Sequence, residues 1–516
     1  MTFPDMADIT AAIAWLDWGS AAFARAARED KPILLSLVAP WCEHCLVMDR
    51  ETFARPDIAR LVETLFVPVR VNTDRRPDIN ERYNLGGWPT TAFLTPAGDI
   101  LAGGTFIACD RMPGVLTSVA EAFVHRRAEV EARPTLPGVG AKRAAGVELD
   151  PVAWLSAQVL ELADVDHGGF GHGAKFPHTP AVTLALERYA DTGDSRYAQV
   201  VATSLDGIGR LHDEIDGGFF RYAADRDWGR PHTEKILLDN ALLIRLHLDA
   251  GALLQRDEYI ERAGRALRWV HEQLADPREG GFAASQAADG ARYSAASPEA
   301  RARIPPRIDP TQYTDSNAEM ISTYLRAADV TGEDWPREFA VRSLEQTILN
   351  SYQPGAGIAH VSAPDPDVRG LLFDQVSTAD ALLRAQAAIG RLPYSMLAAE
   401  LMEYALRTMW DDERGGFHDR ASAAEDAHGL LRRRLNPFAT NCEAARILSR
   451  LSIVTGRTSY RTRAEQTLTS LGDAYRDDPL LGASYGLAVR EVRDSRLPLG
   501  LSLSYVDWKL GEADDD

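Results

Sequence analysis

Cysteine is scarce in this chain, with four in 516 residues, and Cys109 and Cys442 stand far from Cys42 and Cys45. So sparse a set excludes the disulfide framework that holds small secreted domains together. Long apolar runs are missing too, none reaching the ~18 residues that a membrane-spanning helix needs. The opening Met1-Thr-Phe-Pro-Asp-Met-Ala-Asp8 has neither a basic n-region nor an apolar h-region, so no secretory leader is expected. Positive charge is in deficit, 56 Lys and Arg against 75 Asp and Glu, for a net charge of -19. Such a field repels phosphate backbones and anionic lipid, which excludes nucleic acid and membrane as main partners. The cytoplasm is the expected location. What is present is an ordinary soluble composition, 45% hydrophobic and 25% charged. At this length the chain exceeds one ordinary core, so two domains are expected, one of them large.

The densest chemical signal is Pro40-Trp41-Cys42-Glu43-His44-Cys45. Ile33 to Val38 reads as a buried parallel strand and Leu46 onward as a helix, which puts Cys42 where a strand hands over to a helix N-terminus. Unpaired amides and the helix dipole there favour a thiolate, so Cys42 is the expected nucleophile and Cys45, one turn on, the resolving thiol. After a second strand at Phe66 to Asn72, the chain runs Gly86-Gly-Trp-Pro89-Thr90 into a third. A proline after glycines and just before a strand is a candidate cis imide, and Pro89 is expected to lay an extended edge beside the cysteine loop. A hairpin turning at Ala97-Gly98-Asp99 closes the sheet through Ile100. His44 favours and Glu43 opposes a thiolate, giving an expected potential between about -270 and -180 mV. A soft-metal half-site extended by Met48 is the alternative, but no second Cys or His pair stands at zinc-like spacing. No metal and no cofactor are therefore expected.

Past a Pro- and Gly-rich break, the texture from about Asp150 is helix after helix, roughly twelve by apolar spacing. Gly168-Gly-Phe, Gly217-Gly-Phe, Gly280-Gly-Phe and Gly415-Gly-Phe, with Gly355-Ala-Gly-Ile as a weaker copy, each follow a helix and precede a less amphipathic one. Their spacing fits one helical hairpin per repeat, and six hairpins make a toroid of inner and outer helices. The loops before the inner helices are expected to gather at one mouth. Boundaries are expected at 1–130 for the α/β domain, 131–149 for a linker, 150–496 for the helical toroid and 497–516 for a tail.

Trp41-Cys-Glu-His-Cys-Leu-Val-Met48, Arg50-Glu-Thr-Phe53, Asn72-Thr-Asp-Arg-Arg-Pro-Asp78 and Gly86-Gly-Trp-Pro-Thr90 resemble the thioredoxin-domain proteins of the spermatogenesis-associated type. The resemblance implies a thioredoxin-like fold followed by an (α/α)6 six-hairpin barrel, with redox residues at Cys42 and Cys45 and a cis proline at Pro89. Two barrel stretches, Gly169 to His178 and Pro231 to Asn240, resemble segments of the same family. Such barrels are similar to those of glycoside hydrolases and N-acylglucosamine epimerases, and the analogy does not choose between them. His172, Lys175, His232, Glu234, Lys235, Asp239, Asn240, Asp315 and Asn317 are accordingly candidates for holding or acting on a polyhydroxylated ligand. The plainer reading of each is a cap, a turn or a paired charge. The sequence departs from the family at Glu43-His44, Thr311 and Ser316. Three functions follow: thiol-disulfide exchange with a protein partner, a carbohydrate-active barrel with a regulatory thioredoxin-like part, or a binding scaffold.

Overall fold

The computed structural model describes residues 13–125, 150–295, 297–363, 366, 368–421 and 427–504. They fall into two compact units, one within Met1–Ala144, Ser285–Asp309 and Ser422–Arg434, the other within Ala145–Ala284, Pro310–Ala421 and Leu435–Asp516. Two stretches inside the expected 150–496 block therefore pack with the first unit. The expected linker at 131–149 lies outside the described residues.

The first unit is a four-stranded sheet ordered β2-β1-β3-β4. Central β1 (Ile33–Val38) runs parallel to β2 (Val67–Asn72) and antiparallel to β3 (Thr90–Leu94), which pairs with β4 (Ile100–Gly104). All of β1 is buried because both faces are covered. Ile33, Leu35 and Leu37 join Val67, Val69, Val71 and Ala92 on one face, with Phe23 of α1 (Ser20–Glu29). Leu34 and Phe93 join the other, with Ile58 of α3 (Pro56–Leu65) and Leu116 of α5 (Met112–His125). Between β1 and α3, the short α2 (Glu43–Met48) passes into a π turn at Asp49–Phe53. Helix α4 (Pro77–Tyr83) precedes β3. The turn at Gly98 has φ +93°, and a Cβ there would lie 2.4 Å from the Gly429 Cα, so only glycine lets the second stretch approach. That stretch adds Leu431 to the sheet's core, and its Leu430 amide donates to the Tyr83 hydroxyl at 2.7 Å.

The second unit holds twelve helices of twelve residues or more among the described residues. They are α6 (Pro151–Leu162), α7 (Thr179–Thr192), α8 (Ser195–Ile208), α9 (Leu237–Leu254), α10 (Asp257–Gln273), α11 (Thr314–Thr331), α12 (Trp335–Ser351), α13 (Leu372–Ile389), α14 (Leu392–Thr408), α15 (Phe438–Thr455), α16 (Thr458–Leu471) and α17 (Pro479–Val492). Odd-numbered helices from α7 to α17 touch one another in sequence and close a ring, and the even-numbered ones flank it. This is the (α/α)6 toroid. Inner α9 is buried on most sides, whereas outer α10 buries one stripe through Tyr259, Ala263, Ala266, Leu267 and Val270.

The repeated glycine mark has a mechanical explanation. In four repeats an Asp, four residues before the first glycine, exchanges backbone bonds across a tight loop and accepts two loop amides on its side chain, as Asp276 does from Arg278 and Glu279 at 2.9 and 3.0 Å. Both glycines of each pair have positive φ, and a Cβ on Gly168 would stand 1.9 Å from the Thr203 carbonyl oxygen. In three of these repeats the following residue is then held by a forked amide from the next inner helix. Asn317 accepts from the Phe282 amide at 2.7 Å and donates to the carbonyls of Phe282 and Tyr313 at 3.0 and 2.9 Å. Asn240 does the same for Phe219, Asn441 for Phe417, and Gln375 for Ile358 in the weaker copy.

Candidate functional site

In the first unit Cys42 caps the N-terminus of α2, and the Cys45 amide donates to its Sγ at 3.2 Å. Both cysteines are thiols here and both are buried, 6% and 3% exposed, so approach to Cys42 is narrow. Burial, with the adjoining Cys42 thiol and the charge of Asp49, pushes the Cys45 thiol well above its ordinary value. Asp49 is itself buried against Arg70, whose guanidinium partly offsets the upward push of burial. The Trp88-Pro89 bond is cis. Trp88 and Trp41 meet edge-on at 5.3 Å, their indole N–H groups anchored on Thr73 and Asp74 at 3.0 and 2.9 Å. Glu43 and His44 are exposed, and Met48 is only 1% exposed within the core. The Ser285–Asp309 stretch touches this loop, the Ala288 amide donating to the Trp41 carbonyl at 3.2 Å.

The second unit encloses a cavity of about 480 Å³. The first turns of five inner helices line it with Thr179, Leu238, Asp315, Phe373 and Thr440. Deeper, the wall is charged and tied across helices. Arg245 of α9 pairs with Glu319 of α11 at 2.9 Å, and Asp249 with Arg326 at 2.6 Å. Asp380 of α13 pairs with Arg450 of α15, which with Arg446 holds Glu491 of α17. Behind the lining, Arg490 of α17 closes on Asp191 of α7 and on Glu187, which lines the cavity. Acids and arginines alternate, so the wall is polar yet largely self-neutralised.

Of the nine barrel residues singled out in the sequence, Asp315 alone lines this cavity. Lys175 and Lys235 are fully buried and hold the loop aspartates Asp164 and Asp213, each at 2.7 Å, so neither ammonium faces a ligand. Asn240 and Asn317 are the backbone forks described above. His172 is exposed on its loop. The remaining three meet in a separate cluster. His232 stacks on Tyr222 at 4.1 Å and Tyr222 on Phe176 at 4.5 Å, while Glu234 lies 3.5 Å from Arg221. Burial pushes the Asp239 carboxyl up to about 6, Arg221 pulling it back and Glu234 adding to the rise.

The charged wall went unread in the sequence, although its trace is there as Arg245/Asp249, Asp380/Arg384 and Glu443/Arg446, charges one turn apart on otherwise apolar helices. His360 and Asp374 were also missed. They come from a loop and from α13, and His360 Nδ1 lies 3.0 Å from Asp374 Oδ1. No fixed spacing links them to Asp315.

Residues 6–135 match the Thioredox_DsbH family model, described as a protein of unknown function, DUF255. The chain is similar to human spermatogenesis-associated protein 20, 31% identical over 306 residues, which is 53% of this chain and 39% of that protein. The match thus spans about two fifths of the relative's length. A shorter stretch of 82 residues, 15% of this chain and 14% of the relative, is 35% identical to thiol:disulfide interchange protein DsbD 1 of Pseudomonas aeruginosa. Among solved structures, a sugar epimerase from a ruminal bacterium superposes with a TM-score of 0.53 at 12% identity, over 68% of this chain and 97% of that one. That likeness speaks to fold. Residues 6–135 thus carry a thioredoxin-like domain of the Thioredox_DsbH type, followed by a helical toroid whose fold is like that of the sugar epimerase.

Proposed function

We propose that the first unit performs thiol-disulfide exchange through Cys42 and Cys45. The observation that carries this reading is the Cys45 amide on the Cys42 sulfur, at a helix N-terminus beside Trp88-Pro89. The Cys42 thiolate attacks one sulfur of a partner disulfide, forming a mixed disulfide and releasing the other sulfur as a thiolate. Cys45, once deprotonated, attacks Cys42 Sγ, closes the Cys42–Cys45 disulfide and frees the second partner thiol. Two electrons and two protons pass to the partner. The high affinity of Cys45 for its proton makes the second attack the guarded step, so the mixed disulfide persists until a proton acceptor is at hand. Pro89 offers the extended edge on which a partner backbone lies. Reduction of insulin by dithiothreitol should be accelerated by the wild-type chain and not by Cys42→Ser. Equal rates with and without the wild type would end this reading.

A second reading concerns the toroid, whose cavity of about 480 Å³ with a self-neutralised polar wall suits an uncharged polyhydroxylated ligand. Wall carboxylates and guanidiniums already in place could exchange mutual bonds for ligand hydroxyls. Thermal shifts across a panel of mono- and disaccharides test it, with Glu319→Gln expected to abolish the shift. No shift with any sugar would favour a scaffold.

A further inference from the structure

Four seams between neighbouring inner helices carry an arginine against a carboxylate: α9–α11, α13–α15, α15–α17 and α17–α7. The α11–α13 seam differs. There Asp315 faces Asp374, and the third group is His360. One donor atom from each of the three lies within 4.8 Å of the other two. Asp374 is fully buried, and its Oδ2 has no hydrogen-bond partner among the described residues; the same is true of Asp315 Oδ1. The Asp315 amide gives Asp374 a small further attraction without closing a bond on that oxygen. The Asp315 and Ser316 amides lie by the Asp315 carboxyl, but two buried carboxylate oxygens without a closed hydrogen bond are costly unless a proton or a cation lies between them.

We propose that Asp315, His360 and Asp374 form a binding site for a divalent transition-metal ion of the Mn2+ or Zn2+ kind, opening on the toroid cavity through Asp315. Two carboxylates and one imidazole are a borderline donor set that suits such ions better than Ca2+ or Mg2+. An ion about 2.1 Å from each ligand, with about 90° between adjacent bonds as in six-coordination, holds adjacent donors about 3.0 Å apart, and His360 Nδ1 and Asp374 Oδ1 stand at 3.0 Å. The ion takes the place of the proton now between those two atoms, and Asp315 closes on it by a side-chain adjustment. Tyr313 stacks on the imidazole at 5.0 Å and Phe373 meets it edge-on at 5.5 Å, which fixes its plane. Because Asp315 lines the cavity, the remaining coordination positions face it and are open to water or to the vicinal hydroxyls or carboxylate of a bound molecule. The site stands on its own geometry and does not depend on either activity proposed above.

The test is equilibrium dialysis of the chelator-treated full-length chain against MnCl2, followed by metal analysis. Mn2+ is the first probe because it ignores thiols; ZnCl2 is then used on the Cys42→Ser, Cys45→Ser double variant. One saturable Mn2+ per chain is expected, with at least about a tenfold loss of affinity in Asp315→Asn and in His360→Gln. Asp315 sits at the cavity wall, so its variant is the deciding one if Asp374→Asn fails to fold. A melting temperature raised by Mn2+ in the wild type and not in Asp315→Asn gives a second readout. No saturable binding of either ion, or unchanged binding in Asp315→Asn, would overturn the proposal and leave two carboxyls sharing a proton.

Discussion

Asn317 was a ligand candidate in the sequence and is a backbone fork in the fold, and the two roles part company on substitution. Asn317 is 1% exposed and makes three hydrogen bonds, one accepted from the Phe282 amide and two donated to the carbonyls of Phe282 and Tyr313. Each such bond contributes about 1 kcal/mol net, and a buried amide left without a partner costs about 1–3 kcal/mol. Asn317→Ala should therefore destabilise the toroid by roughly 3–5 kcal/mol, and Asn317→Asp by at least as much, since it turns two donors toward carbonyls as acceptors. Urea unfolding followed by far-ultraviolet circular dichroism reads the loss, with the helical signal reporting mainly on the toroid. Asn441→Ala, which breaks the equivalent fork on Phe417, should give a loss of similar size. Any sugar affinity should stay within about twofold of wild type when measured below the onset of unfolding. A stability loss under about 1 kcal/mol, or a specific loss of ligand with stability intact, would refute the fork and restore the ligand role.

Three further outcomes follow from the same geometry. Reduced protein treated with iodoacetamide near pH 7.5 should be labelled at Cys42 and spared at Cys45, because a thiol held above 9.0 is less than about 3% ionised there; peptide mass analysis showing Cys45 labelled first would contradict this. Asp239 keeps its proton up to about pH 6 in the fold but loses it near 3.8 when unfolded, so native stability falls as pH rises between those values. Chemical denaturation of wild type and Asp239→Asn should show the variant gaining about 1–2 kcal/mol relative to wild type between pH 4 and pH 7, the full shift being discounted for partial exposure; a flat difference would count against it. Ala288→Pro removes the amide that donates to the Trp41 carbonyl, and alkylation of Cys42 should then quicken by about two- to tenfold, the factor for loss of one such bond. Unchanged kinetics would mean that this stretch does not restrain the cysteine loop.

Much of the architecture was legible because it rests on local patterns. The six buried residues of β1 are an apolar run, Pro89 follows a glycine pair, and all twelve long helices follow their apolar spacing. Gly-Gly-Phe is a repeat because all four copies need two positive-φ residues, and three of them present a backbone that a fork grips. The barrel site was less legible. Lys175 and Lys235 look like ligand cations in a one-dimensional reading, but their partners Asp164 and Asp213 lie 11 and 22 residues away and only the loop geometry joins them. The charges around the cavity are split among six inner helices, and most find a counter-charge on a neighbouring helix, with Asp380–Arg384 and Glu443–Arg446 paired within one turn as well. Segments 285–309 and 422–434 carry little apolar period, so nothing in them announced that they pack with the first unit.

The account rests on Cys42 and Cys45 forming one reversible two-electron couple. Equilibrating the full-length chain in glutathione buffers of stepped potential, trapping thiols with a mass-tagging maleimide and mapping the tags measures it directly. The account predicts a single transition in which Cys42 and Cys45 gain or lose their tags together, between about -270 and -180 mV, while Cys109 and Cys442 follow no shared step. Tags that remain on both cysteines under every buffer, or a disulfide joining Cys42 to any sulfur but Cys45, would contradict it.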